Sequence, residues 1–99
     1  MDEYKNLIDK IISEYRTENQ INPFREDSEF EDYAKDGIFD INDYCSTKID
    51  YDDDWKARIL LKNYILYADH KKLAEFKIAY LSEYDELQRE YYIKMLKEK

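Results

Sequence analysis

The chain has few of the residues that build turns, disulfides and phosphate-binding loops. Its 99 residues include one Gly, one Pro, one Cys and one His. An all-β domain needs turn residues every few positions, so this composition excludes that fold class. The single Gly also excludes a glycine-rich phosphate loop, and the lone Cys45 excludes an internal disulfide.

Long apolar runs are lacking as well. No segment approaches the ~18 consecutive apolar residues that a membrane-spanning helix requires. The first five residues, Met-Asp-Glu-Tyr-Lys, are polar and acidic, which is not the pattern of a secretory signal. We therefore expect a protein without membrane association, in a compartment that keeps Cys45 reduced.

Charged and aromatic residues are abundant instead. The composition is 40% charged and 43% hydrophobic, which favours helices with one apolar stripe and a charged outer face. Eleven Tyr, four Phe and one Trp argue against disorder, because disordered chains are poor in aromatics. Eleven tyrosines also exceed what we expect one small core to bury. Some should therefore lie in contacts with other proteins, where Tyr is enriched.

The spacing of apolar residues predicts an all-α fold, with one domain over residues 1–99 built as a small bundle of about four helices. The predicted helices cover residues 2–18, 27–46, 54–69 and 71–97. Asp2 and Glu3 would place negative charge in the first turn of the first helix. Gly37 lies within the apolar stripe of the second helix, which predicts that another helix approaches closely there.

The fourth predicted helix is long for so small a domain. Its apolar residues from Leu73 to Met95 recur about every 3.7 positions, close to the helical period of ~3.6. At ~1.5 Å per residue the helix would extend about 40 Å. A domain of this size should have a radius of gyration of only ~13 Å. We expect the end of the helix, residues 88–99, to project and to bind a partner through its apolar side chains.

Two connections join the predicted helices. In the first, Ile21 and Phe24 are expected to tuck against the core. The second, residues 46–54, is an acidic loop in which Asp52 or Asp53 can cap the next helix.

No pattern in the sequence indicates catalysis or a metal site, and we expect neither enzymatic activity nor a cofactor. His70 is predicted at the junction of the third and fourth helices, and Cys45 in an apolar stripe as a structural thiol. A calcium loop beginning at Asp50 would require Gly at its sixth position and Glu at its twelfth. Those positions hold Trp55 and Leu61, so the match fails.

Charge is distributed unevenly along the chain. The net charge is −8, which disfavours binding to nucleic acid. Residues 1–54 hold 17 acidic and 6 basic side chains, whereas residues 55–99 hold 7 acidic and 10 basic ones. The asymmetry is explained either by chance and solubility, or by copies and partners that meet with opposite charges facing.

Several segments of residues 27–96 follow one another in a distinctive order. An acidic helix start (residues 27–34) leads to Ile-Phe-Asp-Ile-Asn-Asp-Tyr-Cys (residues 38–45). After the acidic loop come an apolar helix (residues 57–67) and a last amphipathic helix (from residue 75). This order resembles the head–tail connector, or head-completion, proteins of long-tailed bacteriophages. Residues 38–45 look like the family's "I..Y" helix end, and residues 57–67 look like its central helix.

The resemblance implies a structural protein of the virion neck, assembled in the host bacterial cytoplasm. It would form a homo-oligomeric ring, commonly of twelve subunits, between the portal and the tail-side neck proteins, with the genome passing through its channel. An acidic channel would repel the DNA backbone. The residues expected on the acidic channel face are Asp50, Asp52, Asp53 and Asp54. The residues expected to bind a partner are Tyr84, Tyr91, Tyr92, Met95 and Leu96.

Two other functions fit a small acidic helical protein. One is an inhibitor of a host defence nuclease that mimics DNA, and the other is an immunity protein that neutralises a toxin. A mimic should align its carboxylates at phosphate-like spacing. The candidates for such a face are Asp32, Asp36, Asp40, Asp43 and the run from Asp52 to Asp54.

Overall fold

Amphipathic segments of the chain form five α-helices in the computed structural model, which describes residues 4–98. No strand is present within these residues, so the all-α prediction is confirmed. The predicted helix start at Asp2, with the first-turn acids Asp2 and Glu3, lies outside the described residues. The helices are α1 (Lys5–Glu18), α2 (Ser28–Cys45), α3 (Trp55–Asp69), α4 (Leu73–Ala79) and α5 (Leu81–Lys97).

The apolar stripe of α2 lies at the centre of the bundle. α2 packs against α1, α3 and α5, and α4 packs mainly on α3. The radius of gyration of 13.7 Å is that expected of one compact domain of this length. The buried stripe of α2 consists of Phe30, Ala34, Gly37, Ile38, Ile41 and Cys45.

α3 approaches α2 closely at Gly37, as predicted. A Cβ atom added at Gly37 would lie 2.7 Å from Leu61 Cδ1 and 2.9 Å from Tyr64 Cδ1. Carbon atoms in contact prefer about 3.5–4.0 Å, so any side chain at this position must displace buried groups.

We expect Gly37→Val to lower the free energy of unfolding by about 2 kcal/mol, because overpacking a closed core typically costs ~1–3 kcal/mol. Urea denaturation measures the difference. Lys35→Val is the matched control, since Lys35 is exposed on the same helix. Equal losses in the two variants would show that the contact with α3 is not what requires Gly37, because helix propensity alone favours Val over Gly.

The prediction of one helix over residues 71–97 is wrong. The segment is divided at Tyr80 into α4 and α5, and Tyr80 has a non-helical backbone (φ −109°, ψ 16°). Phe76 before the break and Tyr84 after it are both buried, with ring centroids 6.0 Å apart. The packing of these rings in the core outweighs the continuity of the helix, which the apolar spacing alone could not reveal.

The loop between α2 and α3 contributes to the core, which the sequence did not predict. Ile49 and Tyr51 are both fully buried. Asn42 of α2 holds the loop, because its Oδ1 accepts hydrogen bonds from the Tyr51 hydroxyl (2.8 Å) and from Ile49 N (3.3 Å). The Tyr4 hydroxyl, from the residue that precedes α1, donates to Ile49 O (3.1 Å), so this residue and α2 fix the same loop.

Two details of the connections differ from the prediction. Ile21 is half-buried as expected, but Phe24 is 91% exposed. Its backbone N–H donates to Asn22 Oδ1, in a tight turn that keeps the ring outside the core. The cap of α3 is Asp54, rather than Asp52 or Asp53, and its carboxylate accepts from Ala57 N at 3.0 Å.

The core does not bury all eleven tyrosines, as predicted. Four are buried, six are half-buried and Tyr92 is exposed. Many lie at the boundary of the core, where the ring packs inside and the hydroxyl reaches a polar partner. Tyr84, for example, donates to Asp40 Oδ2 at 2.7 Å, and Tyr44 donates to Asp85.

Candidate protein-binding surfaces

The predicted partner-binding residues of α5 fall into two groups. Tyr84 is 3% exposed and belongs to the core, so its assignment to a binding surface is wrong. Its ring packs against Tyr44 (centroids 5.1 Å apart) and Phe76. Phe76 of α4 and Tyr84 of α5 both face the core, although the helix is interrupted between them.

Tyr91 marks the boundary between the core and the exposed end of α5. It is half-buried, and its hydroxyl donates a hydrogen bond to Asp54 at the start of α3. Burial and the Asp54 carboxylate raise the pKa of Tyr91, so the hydroxyl keeps its proton at neutral pH. Lys94 Nζ lies over the ring, 4.7 Å from its centre.

The last turns of α5 present apolar side chains to solvent. They follow Leu87, the last buried residue of the helix. They include Ile93, which belongs to the helix end expected to bind a partner but was not among the five named partner-binding residues. We call this set the apolar end of α5, and its members are between 46% and 56% exposed: Tyr92, Ile93, Met95 and Leu96.

A groove runs between the apolar end of α5 and the turn that follows α2. Its volume is about 690 Å³. Tyr91, Tyr92 and Met95 supply apolar lining, whereas Ile93 and Leu96 are not part of it. We call it the α5 groove, and its remaining lining residues are Cys45, Ser46, Thr47, Lys48, Gln88, Arg89, Lys94 and Glu98.

Most of the predicted acidic channel residues have structural roles. Asp50 Oδ1 accepts from Asp52 N at 3.0 Å, and Asp52 pairs with Arg58 at 3.3 Å. Asp54 caps α3 and accepts from Tyr91. Of the four carboxylates, only that of Asp53 has no such contact among residues 4–98.

A second acidic surface lies on α2, opposite its buried stripe. Asp32, Asp36 and Asp43 are exposed, and none pairs with a basic side chain in residues 4–98. Phe39 lies among them and is 69% exposed. The Asp40 carboxylate is not part of this surface, because it pairs with Lys77 Nζ at 2.8 Å. We call Asp32, Asp36, Phe39 and Asp43 the acidic face of α2.

Phe39 was not among the predicted surface residues, although its position on α2 indicates exposure. A Phe that lies opposite the apolar stripe of an amphipathic helix must face solvent or a partner.

Cys45 and His70 occupy structural positions in the bundle. Cys45 is buried, as predicted, and burial raises the pKa of its thiol to about 11, so that the nucleophilic thiolate is disfavoured. His70 caps the C-terminus of α3, also as predicted. Within residues 4–98, no three His, Cys, Asp or Glu side chains are placed to hold a metal ion.

None of the helices in the described residues has the length and apolarity that crossing a bilayer requires. Comparison with protein-family models, curated proteins and solved structures gave no match to this chain.

Proposed function

We propose that this chain is a non-catalytic structural protein that functions by assembly, as a ring subunit in the neck of a long-tailed bacteriophage. The observation that carries the proposal is the apolar end of α5. The rest of the core is closed, yet this helix carries four large apolar side chains past it into solvent. Apolar groups gathered at one end of a helix are typical of a binding surface.

The energetic reason for a partner is the area that these side chains leave in water. Full burial of one large apolar side chain stabilises by about 1.5–3 kcal/mol. All four are already half-covered, so a partner that buried them completely would gain on the order of 4 kcal/mol. The net charge of −8 suits a protein around a DNA channel, since it repels the phosphate backbone.

The test uses side chains of the apolar end that do not line the α5 groove. We expect Ile93→Asp combined with Leu96→Asp to abolish binding to a portal ring, because charges would have to be buried in an apolar contact. Native mass spectrometry of the chain with and without the portal measures the complex.

The matched control is Ile78→Asp combined with Leu81→Asp. These two side chains are also exposed, but they lie at the α4–α5 junction. The control should bind the portal like the unmodified chain, and circular dichroism should give the same helix content for both variants. An unmodified chain that never associates with a portal would refute the proposal.

The acidic face of α2 favours a second candidate, an inhibitor that occupies the DNA site of a host nuclease. At ~1.5 Å per residue, Asp32 and Asp36 are separated by about 6 Å along the helix, comparable to phosphates along one strand. Asp40 and Asp54 do not extend this line, because they are bound within the protein. Salt-sensitive binding to a nuclease, lost in Asp32→Asn with Asp36→Asn, would support this function over the first.

A further inference from the structure

Two surfaces of this chain are complementary to each other. The α5 groove has an apolar lining and carries Arg89 and Lys94, neither of which forms an ion pair within residues 4–98. The acidic face of α2 presents an exposed Phe between unpaired carboxylates. The α5 groove carries positive charge, and the acidic face of α2 carries negative charge.

The spacing on α2 suits such a contact. Asp36 and Asp43 lie three positions before and four positions after Phe39, so all three side chains share one side of the helix. Asp40, which could have occupied the same region, is instead held by Lys77 and Tyr84. The face is therefore an apolar side chain with a carboxylate on either side.

In the α5 groove, basic side chains instead of carboxylates accompany the apolar surface. Tyr91, Tyr92 and Met95 form an apolar surface, and Lys94 Nζ lies over the Tyr91 ring. A volume of about 690 Å³ is ample for an aromatic side chain. Glu98 is the one acidic residue of the lining.

We propose that the acidic face of α2 in one copy docks into the α5 groove of a second copy. Phe39 contacts the apolar lining, while Asp36 and Asp43 pair with Arg89 and Lys94. This inference rests on the proposed function, in which the chain assembles with itself. Because the two surfaces differ, the contact is heterologous, and its repetition leads to a ring where the rotation closes.

Charge complementarity is the reason for assigning a second copy as the occupant. Two molecules of net charge −8 repel each other unless a positive region of one meets a negative region of the other. The first half of the chain supplies the negative surface, and the second half supplies the positive one. Ile93 and Leu96 remain outside this contact and stay available to a different protein.

The test reverses the charge of each surface in a separate variant. We expect Asp36→Lys with Asp43→Lys to weaken self-association at least tenfold, and Arg89→Glu with Lys94→Glu to do the same. In an equimolar mixture of the two variants, one interface is native and the other has both charges exchanged, so assembly should return. Sedimentation velocity at several concentrations measures all three samples.

The controls make the same changes in net charge elsewhere. Glu75→Lys with Glu83→Lys matches the first variant, and Lys71→Glu with Lys72→Glu matches the second. All four side chains are exposed, and both controls should assemble like the unmodified chain.

Unchanged assembly of either reversed variant, or a mixture that stays dissociated, would overturn the inference. So would an unmodified chain that is monomeric at all concentrations. Each of these results leaves binding of Ile93 and Leu96 to a portal as a separate measurement, so the failure of this contact is distinct from failure of the proposed function.

Discussion

Replacing Phe76 with Ala should lower the free energy of unfolding by about 3–5 kcal/mol. Phe76 is fully buried and is the only buried residue of α4. Its ring centroid lies 4.8 Å from that of Tyr80 and 5.4 Å from those of Tyr64 and Tyr67. Truncation removes these contacts and leaves a cavity that the surrounding rings fill only in part.

The effect should extend to α5, because Phe76 also packs against Tyr84. Thermal denaturation measures the loss, which for a domain of this size corresponds to a fall in Tm of roughly 12 °C or more. Ile78→Ala is the control on the same helix, where the side chain is 81% exposed, and it should change stability by less than about 0.5 kcal/mol. Similar losses in the two variants would mean that α4 is held by something other than Phe76.

The positions of α1, α2 and α3 could be predicted from the sequence because each has a clear apolar stripe. α2 was predicted over residues 27–46 and occupies Ser28–Cys45. Gly37 and Cys45 were also interpreted correctly, since a small or apolar residue within a buried stripe has few alternatives.

The break at Tyr80 and the buried loop could not be predicted in this way. Both depend on contacts between residues distant in sequence. The hydrogen bond from Tyr51 to Asn42 makes a loop residue part of the core. The break at Tyr80 accompanies the contact of the Phe76 ring with Tyr64 and Tyr84. The spacing of apolar residues along the sequence reveals neither of these contacts.

The candidate surfaces were predictable only in part, for the same reason. Met95 and Leu96 lie in the last turns of α5, beyond the core, so their exposure could be expected from helix length. Tyr84 was misassigned because one apolar spacing continues from the core into the exposed end. The α5 groove joins residues 45–48 to the last turns of α5, and these two segments become neighbours only in the folded bundle.

Arg58 is a buried charge that ties three parts of the fold together. It lies on α3 and is 7% exposed. Its guanidinium donates to both carboxylate oxygens of Glu14 on α1, and to Tyr51 O and Asp52 of the loop before α3. A buried cation is tolerated because its hydrogen bonds are satisfied in this way. The group therefore positions α1 and the loop against α3.

We expect Arg58→Met to lower the free energy of unfolding by about 3 kcal/mol. Removing one partner of a buried ion pair typically costs ~3–5 kcal/mol. The lower end applies because Glu14 and Asp52 still reach solvent. Lys56→Met removes the same charge from an exposed pair with Glu86 and Glu90, and should cost less than about 1 kcal/mol. Urea denaturation of both variants measures the contrast.

The ion pair between Arg58 and Glu14 should make the stability of the unmodified protein sensitive to acid. The Arg58 guanidinium, assisted by Lys62, lowers the pKa of Glu14 from 4.5 to about 2 against the opposing effect of burial. A carboxyl whose pKa falls on folding stabilises the native state above its unfolded pKa, and that contribution disappears as the pH falls towards the folded value. Stability should therefore decline between about pH 5 and pH 2. In Arg58→Met the decline should be shallower, though not absent, because Lys62 Nζ remains 2.6 Å from Glu14. Urea midpoints across this range measure the slope, and equal slopes in the two proteins would show that other carboxylates dominate the acid response.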